Sequence, residues 1–165
     1  MTTKFIILIG LLLISCSTEP TEDFNEFDSC SELSLVKYMT IIENPLITDV
    51  YNQVNLFRLE HGLEELTIDY GCALKLAADH TDYMIQQNEL SHDNYNQRTT
   101  KMYEIGAVKI GENVARGYST AAQLLNAWSK SPGHASVLLG EYNRIAIAAI
   151  PNFRGTYYFT LIVYL

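Results

Sequence analysis

The 165-residue chain has little positive charge, few cysteines and no long apolar run, and each shortage removes a class of protein. Eleven lysines and arginines stand against nineteen aspartates and glutamates, a formal charge of −8. The basic residues are scattered singly, so no cationic face is offered to a polyphosphate, which disfavours nucleic acid as a partner. The longest uncharged apolar stretch, Phe5 to Ile14, is ten residues. A membrane-spanning helix needs ~20. The three cysteines include no CxxC pair, so dithiol redox chemistry is not indicated. What is present is 48% hydrophobic and 18% charged residues, enough for one ordinary domain and too apolar for a disordered chain.

Lys4 followed by ten apolar residues has the layout of a secretory signal, placed at residues 1–15. The string Leu13-Ile14-Ser15-Cys16 resembles the bacterial lipobox, in which a small residue precedes a cysteine that becomes the acylated mature N-terminus. That resemblance implies lipidation at Cys16 and a membrane as partner, since several acyl chains on one residue hold a protein stably where one does not. From Ser17 to Glu32 there are six acidic residues and no basic one, which reads as an extended acidic tether, taken over residues 16–42. Residues 33–165 then carry thirteen acidic and ten basic side chains, a charge near neutrality.

Within 43–165 the apolar positions Leu46, Val50, Val54 and Phe57 recur at helical spacing and stop at His61-Gly62. A short extended segment, Leu66-Thr67-Ile68, leads to Asp69, expected to cap a second helix that buries Leu74, Ala77, Ala78, Thr81, Met84 and Ile85 and ends near Asn88. Residues 89–110 read as a long polar loop with a short helix at most. A third helix is expected from about Thr120 to Ser129, stopped by Ser131-Pro132-Gly133, with Trp128 in the core. Ile145–Ile150 and Tyr157–Leu165, separated by the turn-like 152–155, predict an antiparallel hairpin.

Three strings stand out: Leu90-Ser91-His92, Gly111-Glu112-Asn113-Val114-Ala115, and Trp128-Ser129-Lys130-Ser131-Pro132-Gly133-His134. In order and spacing they resemble the CAP superfamily, the SCP or PR-1-like domain, in its compact bacterial form, over about residues 46–165. The resemblance implies an α+β fold, a three-layer α-β-α sandwich with a central antiparallel sheet and a cleft on one side. It also implies a cleft of His92, Glu112 and His134, with Ser131 standing where many members carry a second acid. Where many members have Gly-Val-Gly, this chain has Ala146-Ile147-Ala148, so a close backbone approach there is expected to be looser.

Imidazole beside carboxylate can serve as a proton-transfer pair, a metal half-site or a hydrogen-bonded polar cluster. His92 and His134 are the candidate ligands for zinc or another divalent metal, and Glu112 is the third ligand or a catalytic base. Glu112 flanked by glycine and asparagine also suits a purely structural part, holding a turn by accepting backbone N–H groups. Ser131 lies three residues before His134, but no Gly-x-Ser-x-Gly string accompanies it. His61 reads as a helix-end residue and His80 as a surface or cap residue. Cys30 and Cys72 either form one disulfide pinning the tether to the second helix, worth roughly 4 kcal/mol, or Cys72 is a small buried residue and Cys30 a free thiol in the spacer.

The resemblance points to a binding or interaction module ahead of an enzyme: a lipoprotein of the bacterial envelope, facing periplasm or cell surface, with a lipid-like or other envelope ligand. The alternative is a metal-dependent hydrolase of peptidase or esterase type using His92, His134 and Glu112.

Overall fold

A computed structural model of the chain describes residues 34–165; the signal, Cys16, Cys30 and the acidic part of the tether fall outside the described residues. The two β-branched runs form β3 (Arg144–Pro151) and β4 (Tyr157–Tyr164), antiparallel and in register from Arg144 opposite Tyr164 to Pro151 opposite Tyr157. Asn152 fixes the turn, its Oδ1 accepting from the backbone of Arg154 and Thr156 at 3.0 Å, while Gly155 takes φ +76°. The Gly-Glu-Asn string is itself a strand, β2 (Ile110–Arg116), paired antiparallel with β4. A two-residue β1 (Thr67–Ile68) runs parallel to β3, giving the order β1-β3-β4-β2.

Helices cover both faces of this sheet. On one, α3 (Cys72–Gln87) crosses β3 and β4, and the hydroxyls of Thr81 and Thr160 meet at 2.8 Å. Ala148 is registered with Thr160 and Ala146 with Ile162, so both alanines face α3. Both are fully buried, as are Ala73, Ala77 and Ala78 of the helix. The expected loosening therefore does not open the contact: small side chains on both partners let helix and strand close on each other. Beside α3 lie α1 (Leu35–Ile42), through the Lys37–Asp82 ion pair, and α4 (Tyr95–Glu104). On the opposite face α2 (Pro45–Glu60) packs on α5 (Ala121–Lys130), and α5 on α6 (Pro132–Leu138), which reaches β2. The result is the expected α-β-α sandwich, antiparallel except at the β1 edge.

Several local expectations change. Residues 35–42, assigned to the tether, are helical, and Ile41 is buried. Asp69 does not cap α3; Gly71 takes that position, and Asp69 accepts from the Gly71 amide and the Tyr164 hydroxyl, both at 2.7 Å. α5 begins where expected, with Thr120 as its cap, and Asn88 closes α3 in the left-handed region at φ 51°. Cys72 is disulfide-bonded, which settles the choice left open for it in favour of a bridge; the chain's other cysteines lie outside the described residues.

Two tight contacts fix α6 against the rest. A Cβ on Gly111 would meet Tyr142 Oη at 2.8 Å and Val137 Cγ1 at 3.1 Å, so the bare backbone of β2 is what lets these residues lie on it. Arg58 of α2, 2% exposed, donates from Nε to the Glu64 carbonyl and from its Nη atoms to those of Leu138, Gly140 and Tyr142, at 2.7–3.3 Å. It thereby fills the Leu138 carbonyl at the C-terminal end of α6, where a cation is also favoured by the helix dipole, and the Gly140 and Tyr142 carbonyls just beyond it.

Candidate functional site

Glu112 projects from β2 toward α3 and α4, and its side chain is 2% exposed. A carboxylate cannot remain ionised there without partners. Arg98 of α4 supplies them as a fork, Nε to Oε2 and Nη2 to Oε1, each 2.7 Å, and is itself held by Nη1 on the Asp93 carbonyl at 2.6 Å. His92 brings Nδ1 to 2.8 Å from Oε1. Since an ionised carboxylate only accepts, Nδ1 donates, and Nε2 lies on the half-exposed side of the ring. Burial alone would push the Glu112 carboxyl up. The hydrogen bonds from His92 and Arg98, with the charge of Arg98, outweigh it and hold the group below its ordinary 4.5.

His80 completes the cluster and corrects the surface or cap reading. It is 3% exposed, donates from Nε2 to the Ser91 carbonyl at 2.8 Å, and stands 4.0 Å from Glu112 Oε1. Burial, then the charge of Arg98, lowers its pKa, so the ring is neutral at pH 7. His61 is the C-cap of α2, exposed, with its ring on Phe57 and Nδ1 2.8 Å from the Phe57 carbonyl, as a helix-end residue should be.

His134 and Ser131 stand outside this hydrogen-bonded cluster. Asn113, next to Glu112 and so pointing to the opposite face, donates from Nδ2 to the His134 carbonyl at 3.1 Å. Ser131 joins α5 to α6, serving as C-cap of one and N-cap of the other. Both line a cavity of about 230 Å³ whose apolar walls include Leu90, Val114, Ala127 and Trp128. The Trp128 indole N–H donates to the Val114 carbonyl at 3.2 Å, and the Tyr95 hydroxyl to the Ile110 carbonyl at 3.2 Å. Burial lowers the His134 pKa, and the charge of His92 lowers it further. The structure thus joins His92 to Glu112 directly and His134 to Ser131 in the neighbouring cavity. The charge of His92 at His134 and the bond from Asn113, next to Glu112, link the two pairs.

A profile of the cysteine-rich secretory protein family, CAP, matches residues 51–164. The chain belongs to that family. Among solved structures the CAP fold is similar to an outer surface protein of Borrelia burgdorferi, at 20% identity and TM-score 0.65, covering 73% of this chain and 92% of that one. A cysteine-rich secretory protein of Staphylococcus aureus matches at 23% and 0.61, and an extracellular SCP-domain protein of Bacillus anthracis at 25% and 0.63. These cover 74% and 81% of this chain but 39% and 44% of their own lengths, so this chain corresponds to less than half of either. No curated protein matches it in sequence.

The CAP resemblance implies a divalent metal, and the donor set around Glu112 does not suit one. Oε1 and Oε2 are both taken by Arg98, and His92 faces the carboxylate with its protonated nitrogen. Removing Glu112 from the ligand set leaves the two imidazoles of His92 and His134, short of the three protein ligands of a catalytic zinc site. Among the described residues no group of three or more His, Cys, Asp or Glu side chains is placed to hold a metal ion.

Proposed function

We propose that this CAP domain is a binding module of a bacterial envelope lipoprotein, taking the apolar end of a lipid-like ligand into the cavity between His134 and Trp128. The observation carrying this reading is the complete internal use of Glu112: a carboxylate buried under an arginine fork and a histidine is not free to act as base. The neighbouring cavity, by contrast, pairs apolar walls with two polar groups, the neutral His134 ring and the Ser131 hydroxyl. That mixture holds a hydrocarbon tail or ring and orients one polar end. The outer surface, secretory and extracellular relatives support an exported location, and the Cys16 string supports a lipid anchor to the membrane.

Trp128 is the only tryptophan of the chain and lines the cavity, so it reports occupancy directly. Titration with cis-parinaric acid should change its fluorescence saturably. Ala127→Leu, which fills the cavity, should weaken binding at least fivefold, whereas EDTA should leave it unchanged. No saturable change, or ester turnover that needs added zinc and vanishes in Glu112→Gln, would select the hydrolase instead. The anchor is tested separately: radiolabelled palmitate should enter the wild-type chain in a bacterial host and not Cys16→Ser, and equal labelling of both would remove the lipoprotein reading.

A further inference from the structure

We infer that Arg98 is this chain's built-in substitute for a metal ion: its guanidinium fills the place against Glu112, beside two imidazoles, that a divalent cation would need. The inference concerns the Glu112 cluster; it shares with the proposed function the burial of Glu112 under Arg98, and it does not depend on what the neighbouring cavity binds.

Oε1 of Glu112 is the meeting point. Arg98 Nη2 lies 2.7 Å from it, His92 Nδ1 2.8 Å and His80 Nε2 4.0 Å. One carboxylate and two histidines, the donor types zinc takes, stand around the guanidinium, but as they stand they are not placed to hold a metal ion. Arg98 differs from a metal in two ways that matter. Its cation is part of the side chain rather than a bound ion, and it cannot dissociate, because that side chain is 9% exposed and α4 is held down by Met102, which is fully buried. A metal could enter only by leaving that guanidinium unpaired in the interior, which is costlier than the exchange returns. Taking the side chain away reverses the balance. Glu112, His80 and His92 would then face a vacated space next to the cavity of about 180 Å³ between α3 and α4, already lined by His80, Asn94, Gln97 and Lys101. That cavity gives an ion a way in, and both histidine rings can change tautomer to present a lone pair.

The experiment is a titration of the EDTA-treated full-length protein with zinc alone, read by competition with a chromophoric chelator and by melting temperature. The wild type should take up no stoichiometric zinc in the micromolar range, and its melting temperature should not move. Arg98→Ala should bind one zinc per chain and gain several degrees on zinc addition. His80→Ala in that background should abolish both effects, and Arg98→Lys, which keeps a cation in place, should remain indifferent to zinc. Zinc uptake by the wild type that is lost in Glu112→Gln overturns the inference whether or not the variants fold. So does a folded Arg98→Ala protein that ignores zinc. If Arg98→Ala folds only when refolded with zinc, the inference stands; if neither it nor Arg98→Gln folds with zinc present, the ion does not replace the guanidinium and the inference falls.

Discussion

Arg58→Ala is expected to lower the stability of the domain by roughly 3–5 kcal/mol, about 10–20 °C in melting temperature for a domain of this size. Truncation removes the donors for four backbone carbonyls, those of Glu64, Leu138, Gly140 and Tyr142. Each buried carbonyl left without a partner costs about 1–3 kcal/mol, offset only where water enters the gap. Burial lowers the guanidinium's own pKa, so desolvation already works against the arginine and the carbonyls must outweigh it. Arg58→Lys should recover part of the loss, because three donors on one nitrogen cannot span carbonyls spread from residue 64 to residue 142. Urea unfolding decides the matter: a midpoint shift for Arg58→Ala equivalent to less than 1 kcal/mol would show that these hydrogen bonds do not hold α6 in place.

Glu112→Gln should be comparably destabilising, by about 3–5 kcal/mol, although it changes the side-chain volume hardly at all. The loss comes from Arg98, which would keep its charge in a buried place with no carboxylate against it. The same variant should alter the response to acid. Glu112, His80 and His134 all have folded pKa values below their ordinary ones, 4.5 for the glutamate and 6.5 for the histidines. The folded chain therefore binds fewer protons than the unfolded chain, and stability rises with pH across these windows. It should be fully present above about pH 7, decline from about 6.5 as protons are forced toward the histidines, and fall more steeply below about 4.5 as Glu112 is titrated. In Glu112→Gln the steep lower limb should be missing. Thermal melts of both proteins from pH 3 to 8 make the comparison, and an unchanged lower limb would move the acid response to some other carboxylate.

The parts of this fold that were legible in the sequence are those with an unbroken periodicity or a strong cap. The hairpin of β3 and β4, the stripe of α3 and the Thr120 start of α5 all have one. β2 was not legible because Glu112 and Asn113 are both buried, one on each face, so the alternation that marks a strand is absent. α6 was hidden by Pro132, read as a stop although proline also suits the first turn of a helix. At the site, the family strings gave cleft roles to His92 and Glu112 and none to Arg98 or His80. His80 had a usable signal, since it lies three residues after Ala77 and four before Met84, on the buried stripe of its helix. Arg98 had a weaker one, sharing the buried side of α4 with Met102 four residues on. Polarity argued against both, and only the carboxylate opposite them explains why two such groups are inside.

β2 forms one border of the sheet, and a border strand is where a foreign chain can add itself by main-chain pairing. Two of its outward carbonyls already have donors: Tyr95 occupies that of Ile110 and Trp128 that of Val114. With these two positions taken, one at the start and one toward the middle of the strand, a second copy finds no continuous row of acceptors to zip onto. Crowded copies of this protein should thus stay separate units, without the intermolecular sheet growth to which an unguarded strand would expose them.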